Sequence, residues 1–424
     1  MAPIPLRGGT LPLGQLRWWM GFAVLLAFLL NEAVGSVPLF LSLGGVCVAA
    51  VTRVERTLRG FAVAGLAPWL VPLLALCSIT WSSEVAITLR LSLELILTVG
   101  MAMVIAEQLD PDEVILAICA ATGLICLASL GINHPYYDGM TGRTSWAGIY
   151  QNKNSLCTCA AMFAMSSAAV AANARYHGVL RLSALGGIAF GLLMAVLARA
   201  VATIAACGVM LMCFGVLYLS HMLPRGRRSF YFEIVGMVLV VGGALGGLLV
   251  LSNAELFLGL VGKDPTLTGR TLLWAFASRL AQDHPVLGVG YQAFWVQGHT
   301  AAELLWKTNH ISTRSGFHFH SLYYIMLTEL GYVGVALALH YFLRTFLATL
   351  RWTRLTSSSA SIFFFTYTIY MAISSLQGPG LFGYFNPDYA LFVIGLAQAS
   401  RLLRGSRYRR LVSPRQAGLD PVLS

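Results

Sequence analysis

One charged residue interrupts the apolar run from Leu182 to Ser220: Arg199, in LLMAVLARAVATIAAC. The run is long enough to cross a bilayer twice, so Arg199 falls at a hairpin. Placing an arginine near hydrocarbon costs about 2.5 kcal/mol or more on insertion scales, which an anion or a pathway would justify. The plain alternative is a long stem that carries the guanidinium to the interface. Arg270 is a second candidate. Thr268 suits the N-cap of a helix from about Arg270 to Gln282, with Leu272, Leu273, Phe276, Ala277 and Leu280 on one face, and Asp283-His284-Pro285 ends it. Arg270 then lies in the first turn, where the helix dipole favours anions; a solvated helix-start arginine is the competing reading. His320 opens the segment HSLYYIMLTELGYVG, and an ordinary imidazole suits proton transfer near neutral pH. His318 competes for that role, and spacing does not separate them. Arg90 and Glu94, four apart on one helical face, read as an intramembrane ion pair.

The elements that position these groups are membrane helices. The chain has 424 residues, 57% hydrophobic and 11% charged, with a mean hydropathy of +0.74; soluble domains of this size are not so apolar. Long leucine- and alanine-rich runs predict an all-α polytopic integral membrane protein rather than a β-barrel. Twelve spans are expected, centred near residues 26, 44, 70, 98, 122, 164, 189, 210, 242, 334, 368 and 395. The first is read as a retained span rather than a cleaved leader. The expected organisation is spans one to nine over 1–253 with an outer loop at 133–154, a partly helical outer loop at 254–319, spans ten to twelve over 320–404, and a basic tail at 405–424. With this layout 18 of the 28 basic residues, including six arginines from Arg401 to Arg415, fall on the side that holds both termini. That side is therefore expected to be cytoplasmic. The net charge of +11 follows from this topology and from contact with anionic membrane lipids, without invoking nucleic acid. The eight cysteines lie in apolar spans and read as small buried hydrophobes.

Polar chemistry collects on the opposite, outer face. The loop NHPYYDGMTGRTSWAGIYQNKN carries Arg143, Tyr150 and Lys153, and six of nine histidines lie on this side. The outer carboxylates form no D-x-D or E-x-E pair, and no H-E-x-x-H, P-loop, G-x-S-x-G or G-x-G-x-x-G occurs, so a metal- or nucleotide-driven reaction is not expected. The free energy would then come from the substrate itself.

The ordered set WAGIYQNKNSL (Trp146–Leu156), the lone arginine of LARAVA, LTGRTLLW (Leu267–Trp274), HPVLGVGYQAFW (His284–Trp295) and H-x-x-Y-x-x-x-x-x-E-x-G (His320, Tyr323, Glu329, Gly331) resembles the O-antigen ligase superfamily, which includes O-antigen ligases, O-antigen polymerases and ExoQ-type exopolysaccharide polymerases. The resemblance implies a glycosyltransferase without metal or cofactor in the bacterial inner membrane. Its site would face the periplasm and take glycan from undecaprenyl diphosphate to an acceptor glycan or to lipid A–core. By the same resemblance Arg199 and Arg270 hold the diphosphate and His320 is essential; Arg143, Lys153, Tyr150 and Tyr323 complete the expected substrate-binding set. Two positions depart from the family pattern: Ala198 where serine usually precedes the hairpin arginine, and Ser321 where asparagine usually follows the histidine. A polymerase is preferred over a ligase. A lipid-linked sugar flippase or transporter is the rival class, which would call for charges along several spans and an inverted repeat.

Overall fold

The computed structural model describes residues 5–6, 9–10, 15–132, 134–138, 143–224, 226–228, 230–237, 270–309, 311, 314, 317–376, 378 and 380–412. Its helices are α1 (Leu16–Val34), α2 (Val37–Thr52), α3 (Val54–Ala64), α4 (Ala67–Cys77), α5 (Val85–Gln108), α6 (Pro111–Gly131), α7 (Lys153–Ala172), α8 (Gly178–Ala198), α9 (Val201–Tyr218), α10 (Arg270–Asp283), α11 (Thr300–Thr308), α12 (Leu322–Thr356), α13 (Ser359–Ser375) and α14 (Pro387–Val412). Residues 226–228 and 230–237 are also helical. Each expected span centre falls within a helix except the one near 242, which lies outside the described residues, as do Thr268 and residues 413–424. Among the described residues seven helices are long and apolar enough to cross a membrane, or eight if α2 and its continuation, bent by 96°, count as one span. The expectation of twelve draws in addition on α4, α13 and α14, which are shorter or more polar, and on the segment near 242.

α7 and α8 form the most extensive helix pair, and α7 also packs on α6 and α9. Small residues allow this: a Cβ at Gly191 of α8 would come within 2.8 Å of the Ala160 carbonyl of α7, so the backbones touch directly. α14 lies against α5 and α12, and α13 against α9 and α12, closing the bundle around a core rich in Phe363, Phe364, Tyr367 and Tyr389. Among the described residues strand structure is confined to two short hairpins, β1 (Pro5–Leu6) with β2 (Gly9–Thr10), and β3 (Pro135–Asp138) with β4 (Arg143–Trp146).

α12 is broken. Gly331 has φ 64° and ψ −164°, outside helical geometry. A break there removes the helical bonds from the amides of Tyr332 and Val333 to the carbonyls of Thr328 and Glu329. The strip 284–291 replaces all four groups. Val289 and Gly290 donate to the Thr328 and Glu329 carbonyls at 2.9 Å each, while Tyr332 donates to Pro285 at 2.9 Å and Val333 to Val286 at 3.2 Å. This explains the glycines of HPVLGVGY and ELGY. A Cβ at Gly288 would lie 2.5 Å from the Thr328 carbonyl oxygen, and one at Gly331 would overlap Val286. The 25 residues from 332 to 356 span about 37 Å by themselves. His320 therefore heads a splinted half-helix, 322–330, rather than the span proper.

Candidate active site

Two groups of side chains contain the expected site residues. The first is built by α10, the segment 317–320 and the half-helix. Arg270 lies in α10, whose expected cap at Thr268 falls outside the described residues; the helix buries Leu273 and Ala277, with Phe276 and Leu280 packed at the edge of the core. Leu272, expected on the same face, is exposed. One turn beyond Arg270, the Trp274 indole donates to the Phe319 carbonyl at 2.9 Å and stacks on Tyr324 at 5.5 Å. These contacts fix Arg270 over the histidine segment.

That segment is held from its other side by an aromatic shell. Trp295 meets Phe317 at 5.1 Å, Phe319 at 5.0 Å and Trp306 of α11 at 5.8 Å, and Phe294 meets Phe319 at 5.2 Å. The shell is thus made by the end of HPVLGVGYQAFW and by α11, whose first turn is capped by the His299 ring. Phe317 and Phe319 enter the shell, while the His318 and His320 rings lie together with centroids 4.3 Å apart. His320 sits at φ 53°, the left-handed region, which costs a non-glycine residue of the order of 1 kcal/mol or more. The shell and the Trp274 bond hold it there.

The electrostatics separate the two histidines. The His320 amide donates to His318 Nδ1 at 3.0 Å, so Nδ1 of His318 is an acceptor and its proton resides on Nε2. Part of the His318 surface stays accessible, but the surrounding protein and then the Arg270 cation push its pKa down to about 4. Burial likewise lowers the pKa of the Arg270 guanidinium. A neutral His318 protonated at Nε2 can donate a hydrogen bond but cannot accept a proton without becoming a cation beside Arg270.

The second group is built by the β3–β4 hairpin, the N-terminus of α7 and the α8–α9 turn. The hairpin is extended by bonds between His134 and both Ala147 and Gly148. Arg143 occupies the first position of β4, opposite Asp138. Arg199 is the residue at which α8 ends, at φ 54°, and is exposed. Its Nη1 donates to the Thr144 carbonyl at 3.2 Å, so the lone arginine of the apolar run is tied to the strand that begins with Arg143. Among the described residues Arg199 makes no other hydrogen bond, so four of its five guanidinium donors have no partner there. Asn152 caps α7 through the amide of Asn154 at 2.8 Å, and the Lys153 ammonium lies 5.6 Å from the centre of the Tyr136 ring.

Tyr150 and Tyr323 are placed differently. Tyr150 is buried and donates its hydroxyl to the Leu29 carbonyl at 3.0 Å, so it fastens the outer loop to α1. Tyr323 is 46% exposed on the half-helix, three residues after His320. Arg90 and Glu94 do pair, at 2.9 Å, with Glu94 buried. No hydrogen bond or ion pair joins Arg199 to the Arg270–His320 group among the described residues. No group of three or more His, Cys, Asp or Glu side chains suited to a metal ion occurs among them either. What the sequence pattern did not reveal was the supporting layer of Trp274, Trp295, Trp306 and Phe317. Its only signal was the density of aromatics in FHFH and QAFW.

Residues 156–339 match the model of the family described as O-Antigen ligase. This match contains Arg199, Arg270, His320 and Tyr323, and excludes Arg143, Tyr150 and Lys153. Over 272 residues the chain is 32% identical to the exopolysaccharide production protein ExoQ of Rhizobium meliloti (strain 1021). That alignment covers 62% of this chain and 60% of the relative, so the chain spans about three fifths of that protein's length.

Proposed function

From the match of residues 156–339 to the O-antigen ligase family and the likeness to ExoQ, we propose that this chain is a member of that superfamily and a multi-pass membrane glycosyltransferase. It transfers glycan from undecaprenyl diphosphate to an acceptor sugar hydroxyl in exopolysaccharide polymerisation. The observation that carries the mechanism is the bond from the His320 amide to His318 Nδ1. It supports a neutral donor form of His318 and, with it, the reading that His320 takes the acceptor's proton.

The reaction then runs as one displacement. The acceptor oxygen forms a bond to the anomeric carbon, its proton passes to His320, and the bond from that carbon to the diphosphate oxygen breaks. Charge develops on the departing diphosphate, and Arg270 and Arg199 stabilise it. Attack opposite the leaving group inverts the anomeric centre. The diphosphate supplies the driving force, so this scheme assigns no step to a metal or cofactor. Arg143 and Lys153 add positive charge where the glycan approaches the Arg199 hairpin. In the proposed orientation both termini are cytoplasmic and the His320 end faces the periplasm, which places the membrane-anchored donor beside the half-helix.

The family description favours a second reading of the acceptor, lipid A–core, with the donor half unchanged. The test is turnover of a lipid-linked glycan by purified protein with a chelator present. Wild type is expected to turn over and His320→Ala to lose about two to four orders of magnitude. Product size distinguishes polymer from ligated lipid. Retention at the anomeric carbon, or full activity of His320→Ala, overturns the scheme.

A further inference from the structure

At the end of α12 remote from His320 lies a cavity of 460 Å³ between α12, α14 and the end of α3. His340, Arg344 and Arg351 line it from α12, together with Leu343 and Leu347, and Arg404 faces them from α14. The spacing explains the arrangement: 340, 344 and 351 recur at i, i+4 and i+11, one face of one helix. Three guanidinium groups therefore converge on one space in a protein with few charges.

Among the described residues none of them is neutralised. The Arg344 Nη2 donates to the Ala64 carbonyl at 3.0 Å and the Arg404 Nη2 to the Ala62 carbonyl at 3.2 Å. Both acceptors belong to the last turn of α3, where carbonyls lack helical partners, so these bonds aim the cations without removing their charge. Arg351 has no hydrogen bond or ion pair among the described residues, and no described carboxylate pairs with any of the three. The neighbouring arginines differ. Arg354 pairs with Glu233 at 3.5 Å, and Arg401 lies 3.5 Å from Asp110 and 3.8 Å from Glu107. The unpaired arginines are thus selected by place, not by a general shortage of acids.

The cavity is apolar as well as cationic. Leu343 is 53% exposed and Leu347 38% exposed on the same flank of a helix long and apolar enough to cross a membrane. A free anion has no use for that wall. A ligand with an anionic head and hydrocarbon chains uses both parts, and basic pockets between membrane helices take such heads. From residue 332 to 351 the helix rises about 28 Å, so the site is at the opposite membrane boundary from the His320 group.

We propose that this cavity binds an anionic phospholipid, with the phosphate between Arg344, Arg351 and Arg404 and the acyl chains along Leu343 and Leu347. The proposal rests on the membrane reading alone and not on the glycan reaction, so lipid retention and turnover fail independently. The probe is phosphatidylglycerol. Protein purified in discs of mixed phosphatidylglycerol and phosphatidylcholine is released and weighed intact, and the unfolding midpoint is measured in each pure lipid. Wild type should retain phosphatidylglycerol in preference and unfold at a higher temperature in it. Arg351→Gln, which breaks no bond within the described protein, should weaken retention several-fold. The triple change with Arg344→Gln and Arg404→Gln should abolish the preference, whereas Arg354→Gln should leave it intact. Equal retention of the two lipids by wild type, or unchanged retention in Arg351→Gln, overturns the proposal. So does an equal rise in midpoint from inorganic phosphate added to protein in phosphatidylcholine, which would assign the site to a free anion.

Discussion

The His320 segment and the Arg199 turn both hold a residue in left-handed backbone geometry, yet they are supported in opposite ways. Around His320 almost every group is answered. The indole of Trp274 holds the Phe319 carbonyl, an aromatic shell encloses Phe317 and Phe319, and a four-bond splint mends the helix behind. Arg199 is exposed and its side chain is held by one bond to Thr144. The difference matches what each is proposed to do. A proton-transfer group must be placed to a fraction of an ångström. A clamp for a membrane-anchored diphosphate must open to admit it, and a long guanidinium with unused donors can close on it afterwards.

The comparison makes graded predictions. His320→Ala should reduce turnover by about two to four orders of magnitude while the purified protein keeps its helix content by circular dichroism. Arg199→Ala should lose about two to three orders, and Arg199→Lys should recover little of it, because lysine lacks the planar fork that fits phosphate. The unfolding midpoint of both Arg199 variants should stay at the wild-type value; a clear drop would make Arg199 a structural residue and erase the contrast. Gly331→Ala should lower stability by about 1–3 kcal/mol and turnover with it, since the added Cβ meets Val286 and pushes the half-helix off its splint. Trp274→Phe keeps the ring but drops the bond to Phe319, at about 1 kcal/mol and a several-fold loss of turnover.

The smallest effect is on pH dependence. His318 in the folded protein titrates at about 4, below its value in the unfolded chain. Its contribution to stability is therefore complete above about pH 6.5 and is lost as the pH falls through about 4. His318→Gln should flatten the acid side of a plot of unfolding midpoint against pH and should cost far less turnover than His320→Ala.

Much of this was legible in the chain. Arg270 lies in a helix whose apolar face, through Leu273 and Ala277, is buried as its periodicity requires, and the lone charge of the 182–220 run sits at a tight turn. The remainder depends on backbone geometry that residue periodicity does not carry. MLTELGYVG reads as continuous apolar helix, and only Gly331 hints at the break, because the groups that repair it lie some forty residues away in 284–291. His318 and His320 are equivalent by type and spacing; a backbone hydrogen bond distinguishes them. Tyr150 sits in a polar motif that suggested substrate contact, but its hydroxyl is directed to Leu29. The outer loop contained the Asp138-Gly139 turn signal of a hairpin, yet its short strands are too polar to stand out.

The division of labour between the two regions is tested most directly by measuring donor binding and turnover side by side for wild type, Arg199→Ala and His320→Ala, using purified protein and one undecaprenyl-diphosphate-linked glycan. The account predicts that His320→Ala binds the donor as wild type does and scarcely turns it over, while Arg199→Ala loses affinity for it. Wild-type turnover by His320→Ala, or an equal loss of donor binding in both variants, would contradict it.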